Sequence, residues 1–169
     1  MLNVTFKIIS EEDIVGVKSV ATKAWFYTYG QFLKHEYIKQ YIEKNYSYNL
    51  LYNQISRIKS SDEFFTVVLE DKEVIGFCNI LNRSNEAELA RLYLLPSFIG
   101  KGLGKQLLYK GELFIKTKGK EKYFCYVHKD NDLGQKFYLR NGFKYIPEKD
   151  LSDEINNDCQ TYMEKELCR

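Results

Sequence analysis

One segment constrains this chain more than any other. Residues 86–95 alternate as a strand that ends at Pro96, and Gly100, Gly102 and Gly104 follow in a loop. Leu103, Leu107, Leu108, Phe114 and Ile115 then recur at helical spacing. In the order strand, glycine loop, helix, the glycines let the backbone approach a ligand, and the helix start adds unpaired N–H groups and the positive end of its dipole. Lys101 and Lys105 add charge, which makes the loop a cradle for an anion such as a pyrophosphate.

Two common glycine loops are excluded by spacing. The P-loop requires G-x-x-x-x-G-K-[ST], whereas Gly100 and Gly104 stand too close and Lys105 is followed by Gln106. The dinucleotide fingerprint requires G-x-G-x-x-G beside the first strand of a βαβ unit, whereas G-x-G-x-G stands late in this chain.

The rest of the sequence surrounds the loop with alternating elements. Residues 4–9 read as a strand, and Ser10 caps a helix over 11–27 that stops before Gly30. Two amphipathic segments carry Leu33, Tyr37, Ile38, Tyr41 and Ile42, then Leu50, Leu51, Ile55 and Ile58. Residues 64–69 and 74–81 predict a β-hairpin across a charged turn. A strand over 123–128, a helix over 131–141 stopped by Gly142 and a strand over 143–146 follow, and residues 161–166 are expected to close the sheet. No linker or repeat interrupts them, so the expectation is one α/β domain over residues 1–169 with a mixed sheet.

Composition removes several classes of function. The chain has 169 residues with a formal charge of +2, too small for nucleic-acid binding to be its main task. The lysines of 116–122 read as a solvated helix end. No apolar run reaches a membrane span, and the first residues lack a secretory pattern, so a cytoplasmic protein without membrane partners is expected. Cys78, Cys125, Cys159 and Cys168, with only His35 and His128, lack zinc-ligand spacing, and no metal is expected. Cys159 and Cys168 remain candidates for a pair.

The loop Ile99-Gly-Lys-Gly-Leu-Gly resembles the [Q/R]-x-x-G-x-[G/A] signature of the Gcn5-related N-acetyltransferase (GNAT) superfamily, with Ile99 where Gln or Arg is usual. The run from Asn131 through Phe137, Tyr138 and Gly142 to Phe143 resembles that family's second signature. The helical segment before the hairpin, with Leu89-Ala-Arg-Leu-Tyr-Leu, is most similar to the PaiA subgroup, which acetylates spermidine and spermine. The resemblance implies a GNAT fold: a central mixed, mostly antiparallel sheet of about seven strands flanked by helices. It also implies acetyl-CoA as cosubstrate, a small-molecule amine as partner, and room for a homodimer.

Carried onto this chain, the resemblance assigns the pyrophosphate to Gly100, Lys101, Gly102, Leu103, Gly104 and Lys105 and the pantetheine arm to the backbone of Leu92, Tyr93 and Leu94. The Leu94 amide polarises the thioester, Tyr138 protonates the departing thiolate, Asn131 holds the pantetheine or diphosphate, and Arg140 reaches a phosphate. Glu88, evenly spaced from Leu94 and so expected on the same strand face, is the candidate general base, with Glu86 as fallback. Ten of the chain's aromatics fall within residues 25–52, and Trp25, Tyr27 and Tyr29, with Glu36 and Glu86, are the candidate acceptor slot for a polyamine. Acetylation of a protein N-terminus or lysine stays open as the alternative, as does an inactive CoA-binding regulator.

Overall fold

The computed structural model describes residues 3–58, 62–153 and 158–167. Strand β1 (Val4–Ile8) leads through a short turn into helices α1 (Ile14–Tyr29), α2 (His35–Asn45) and α3 (Tyr48–Ile58). Strands β2 (Glu63–Glu70) and β3 (Glu73–Asn82) form the expected hairpin, and β4 (Ala87–Leu94) precedes the glycine loop and α4 (Leu103–Thr117). Strand β5 (Lys122–His128), α5 (Asp132–Arg140), β6 (Lys144–Tyr145), β7 (Leu151–Asp153) and β8 (Asp158–Glu166) complete the chain.

Among the described residues the strands form one eight-stranded sheet in the order β1-β2-β3-β4-β5-β8-β6, with the three-residue β7 paired to β8. Only β4 and β5 run parallel; the other pairings are antiparallel. The last long strand enters between β5 and β6, a placement that its own residues do not encode.

One core lies on each face of the sheet. Val68, Cys78, Ile80, Leu89, Leu107 and Ile115 pack with α4 and α5, whereas Trp25, Ile38, Leu51, Phe65 and Phe77 pack with α1, α2 and α3. Among the described residues no helix is long and apolar enough to cross a membrane. Cys168, and with it the expected pair, lies outside the described residues.

The entry to α1 is fixed by a buried carboxylate. Asp13 is 3% exposed and accepts from the Ser10 amide and the Ser10 hydroxyl, each at 2.8 Å, with the Lys7 ammonium at 3.0 Å. Asp13→Ala strips three partners from one point, and the expected loss is about 2 kcal/mol, read from denaturant unfolding curves.

Candidate acetyl-transfer site

The site arises from an interruption of the sheet. Asn79 pairs with Arg91 and Ile80 with Leu89, so Ala90 is an extra residue that bulges from β4. On the other side, β4 pairs with β5 only at Ala87 with Tyr123 and Glu88 with Phe124. Beyond that point the two parallel strands part, and β5 stays paired with β8. The wedge between them is a cavity of about 350 Å³, within the range of small-molecule sites.

Its walls come from both ends of the wedge. Leu89, Leu92, Tyr93 and Leu94 line it from β4, Tyr126 and Val127 from β5, Gly100, Gly102, Gly104 and Lys105 from the glycine loop, and Asn131, Phe137 and Tyr138 from the α5 segment. The Leu95 amide donates to the Ile75 carbonyl at 2.8 Å. Because amides alternate along a strand, the Leu94 and Leu92 N–H groups point away from β3 and into the wedge.

The glycine loop has the geometry an anion needs. Gly100 and Gly102 have φ of 82° and 80°, the left-handed region that favours glycine, and a β-carbon at either would meet no atom within 4 Å, so that side of the loop is open. Gly104 lies against Phe137, whose ring a β-carbon would meet at 3.1 Å. Lys105 reaches the cavity, whereas the Lys101 ammonium sits over the Phe98 ring, 4.6 Å from its centre, and the Leu103 side chain is buried in the core.

Asn131 is a joint between elements. Its carbonyl oxygen accepts from the Gly134 amide at 2.9 Å, capping α5, and its amide nitrogen donates to the Tyr29 hydroxyl on α1 at 3.2 Å. One helical face later, Tyr138 is buried at the cavity wall, and burial pushes its phenol well above the usual tyrosine range. Arg140, on the last turn of α5, is exposed and lines no part of the cavity.

The expected placement of the carboxylates fails, and the bulge is the reason. Ala87 and Leu89 face the α4 core before Ala90, whereas Leu92 and Leu94 face it afterwards. Even spacing across one extra residue reverses the face, so Glu88 points away from Leu94. Glu88 is paired with Arg83 at 2.8 Å, and Glu86 with Lys122 at 2.8 Å. The hydrogen bond from Lys122 holds the Glu86 carboxyl below the usual range. Neither glutamate lines the cavity.

The aromatic slot is corrected in the same way. Trp25 is buried and stacks on Tyr41 with ring centres 3.9 Å apart, and its indole N–H donates to the Tyr93 hydroxyl at 3.0 Å. Tyr27 is 59% exposed, and Glu36 is exposed and accepts from Gln40 at 3.3 Å. Of the residues proposed for the slot, Tyr29 alone lines the cavity, joined by its neighbour Thr28 and by Ala24 one turn before Thr28. Tyr126 and Arg91 also line it and were not anticipated. A single arginine inside the apolar run of 89–94 was the available signal for the latter.

A parted pair of parallel strands with a glycine loop at the mouth offers a cleft with backbone donors at one end, and the acetyltransferase (GNAT) family model matches residues 25–143. The chain belongs to the GNAT acetyltransferase family. A curated spermidine N(1)-acetyltransferase of Thermoplasma acidophilum is 37% identical over 155 residues, covering 91% of this chain and 96% of that protein. The crystal structure of the PaiA N-acetyltransferase from Thermoplasma acidophilum in complex with coenzyme A superposes with a TM-score of 0.89 at 35% identity. That match covers 98% of this GNAT chain and all of the other, 100%. A GCN5-related N-acetyltransferase from Rhodopseudomonas palustris shares the fold at 14% identity and a TM-score of 0.76. This GNAT protein is thus an acetyl-CoA-dependent N-acetyltransferase.

Proposed function

We propose that this enzyme acetylates a primary amine of a linear polyamine of the spermidine or spermine type. The observation that carries the reading is the wedge itself, which holds the glycine loop at one end and a tyrosine-lined recess of Tyr29, Tyr93, Tyr126 and Tyr138 along its walls. A narrow recess of phenols suits an alkyl amine better than a folded protein surface. The likeness to the Thermoplasma spermidine acetyltransferase over nearly its whole length supports the same acceptor.

The residues divide the work. Backbone N–H groups of the loop and of α4 hold the diphosphate, with Lys105 beside them. The outward amide of Leu94 donates to the carbonyl oxygen as negative charge develops there, worth about 3 kcal/mol in comparable sites. The amine nitrogen attacks, a C–N bond forms and the C–S bond breaks, and Tyr138 gives its phenolic proton to sulfur. Asn131 orients α5 and so Tyr138. No enzyme nucleophile is required: burial pushes the thiols of Cys78 and Cys125 upward, and neither lines the cavity.

Since Glu88 is held by Arg83 outside the cavity, Glu88→Gln is expected to change kcat by less than about tenfold, short of the 10²–10⁴ of a general base. A larger loss in steady-state rates would return that role to Glu88.

The deciding assay follows CoA release from acetyl-CoA with spermidine, spermine, lysine peptides and N-terminal peptides. Release with the polyamines above the peptides is expected. Preference for a peptide would make this a protein acetyltransferase, and no release with any amine would make it a CoA-binding regulator.

A further inference from the structure

Among the described residues that line the cavity, the charged ones are Arg91 and Lys105, both cationic, and no Asp, Glu or His is among them. Lys105 belongs to the glycine loop. Arg91 follows the bulged Ala90 and precedes Leu94 by three residues on β4.

Arg91 is held from three directions by neutral groups. One guanidinium nitrogen donates to the Gln54 side-chain carbonyl at 3.0 Å and another to the Asn45 main-chain carbonyl at 3.3 Å, while the guanidinium carbon lies 4.8 Å from the centre of the Tyr46 ring. Gln54 is buried on α3 and donates in turn to Glu63 and to Asn79. Among the described residues no carboxylate forms an ion pair with Arg91. Its charge is fixed in place, and the carboxylate next to this network, Glu63, meets Gln54 rather than Arg91.

We propose that Arg91 keeps the acceptor amine neutral: its positive charge disfavours the ammonium form inside the cavity and leaves the free amine, whose lone pair attacks. The inference rests on the amine-acetylating reading above. The ammonium proton passes to solvent before attack. After attack the nitrogen loses one further proton, sulfur gains the one that Tyr138 gives, and Tyr138 is reprotonated, so the products are the acetamide and the CoA thiol.

The other titratable groups facing this end add no opposing charge. Tyr29 of α1, Tyr93 of β4, Tyr126 of β5 and Tyr138 of α5 present phenols, and burial pushes Tyr93 and Tyr138 upward so that they add no negative charge. Tyr46, behind Arg91, is pushed upward by burial too, and Glu63 accepts from Gln54 and lines no part of the cavity. A unit charge several ångströms away in such surroundings lowers an ammonium pKa by about one to two units. The same charge admits one terminal amine of a polyamine and leaves its other ammonium groups outside.

The test is the pH dependence of kcat for the wild-type enzyme, Arg91→Gln and Arg91→Lys, with spermidine and with trifluoroethylamine, a weakly basic amine neutral at about pH 7. With spermidine, the acid limb of Arg91→Gln is expected to move up by about one pH unit, with about a tenfold loss near neutrality. Trifluoroethylamine is expected to lose less than about threefold, and Arg91→Lys to keep the wild-type limb. Equal losses with both amines, or an unmoved limb, would overturn the proposal. Should Arg91→Gln fail to fold, the wild type decides: its limb must lie at least about one unit below the pKa of free spermidine, and coincidence overturns the proposal. Acetylation with an unshifted limb removes only the role of Arg91, whereas no acetylation of any amine removes the polyamine reading as well.

Discussion

Tyr138→Phe is expected to lower kcat by about a hundredfold or more while leaving the KM for acetyl-CoA within a few-fold. The substitution removes one oxygen from a buried ring that packs between Phe137 and Phe143, with ring centres 5.3 and 5.1 Å away, so the apolar packing survives. What disappears is the proton for the thiolate. Burial holds the Tyr138 phenol above the usual value, so it stays protonated, and the wild-type kcat is expected not to fall through the ordinary tyrosine range near pH 10. A Phe variant with wild-type kcat would remove Tyr138 from the mechanism. A pre-steady-state measurement with a thioester of lower leaving-group pKa gives a second view: the deficit should shrink as the thiolate needs the proton less.

Gly102→Asp is expected to raise the KM for acetyl-CoA by at least about a hundredfold with little change in kcat at saturation. Two effects add. A non-glycine residue at φ of 80° costs about 1–2 kcal/mol. A carboxylate about 4 Å from a phosphate costs about 4 kcal/mol at the effective dielectric of a protein surface. The side chain itself has room, because a β-carbon at Gly102 meets nothing within 4 Å, so the fold should persist. Gly102→Ala isolates the backbone part and is expected to cost about tenfold in KM. If the Asp and Ala variants bind acetyl-CoA equally, as read by calorimetric titration, the diphosphate does not sit on this loop.

The glycine loop, α4 after it and the helix α5 were legible in the sequence because each is set by neighbours in the chain. A glycine spacing, a helix stop at Gly142 and an apolar period are local statements. The Leu94 amide could be named, but its direction became visible only through the Leu95 bond to Ile75 across the sheet.

Sequence alone thus determined an α/β class with a mixed sheet and the glycine loop before a helix, since local spacing suffices for these, while Tyr138 was named through the resemblance of the 131–143 run to the GNAT signature. Tertiary structure decided which side chains line the cavity. One bulged residue, Ala90, inverted the face of Glu88 relative to Leu94, and a strand bulge is specified by the pairing of β3 with β4 rather than by the strand's own alternation. Packing between α1 and α2 drew Trp25 into the core and left Tyr27 in solvent, while α3, some forty residues earlier in the chain, supplied Gln54 to hold Arg91 in the wedge. Contacts between elements distant in sequence carry no periodic signature, and only the folded sheet brings them together.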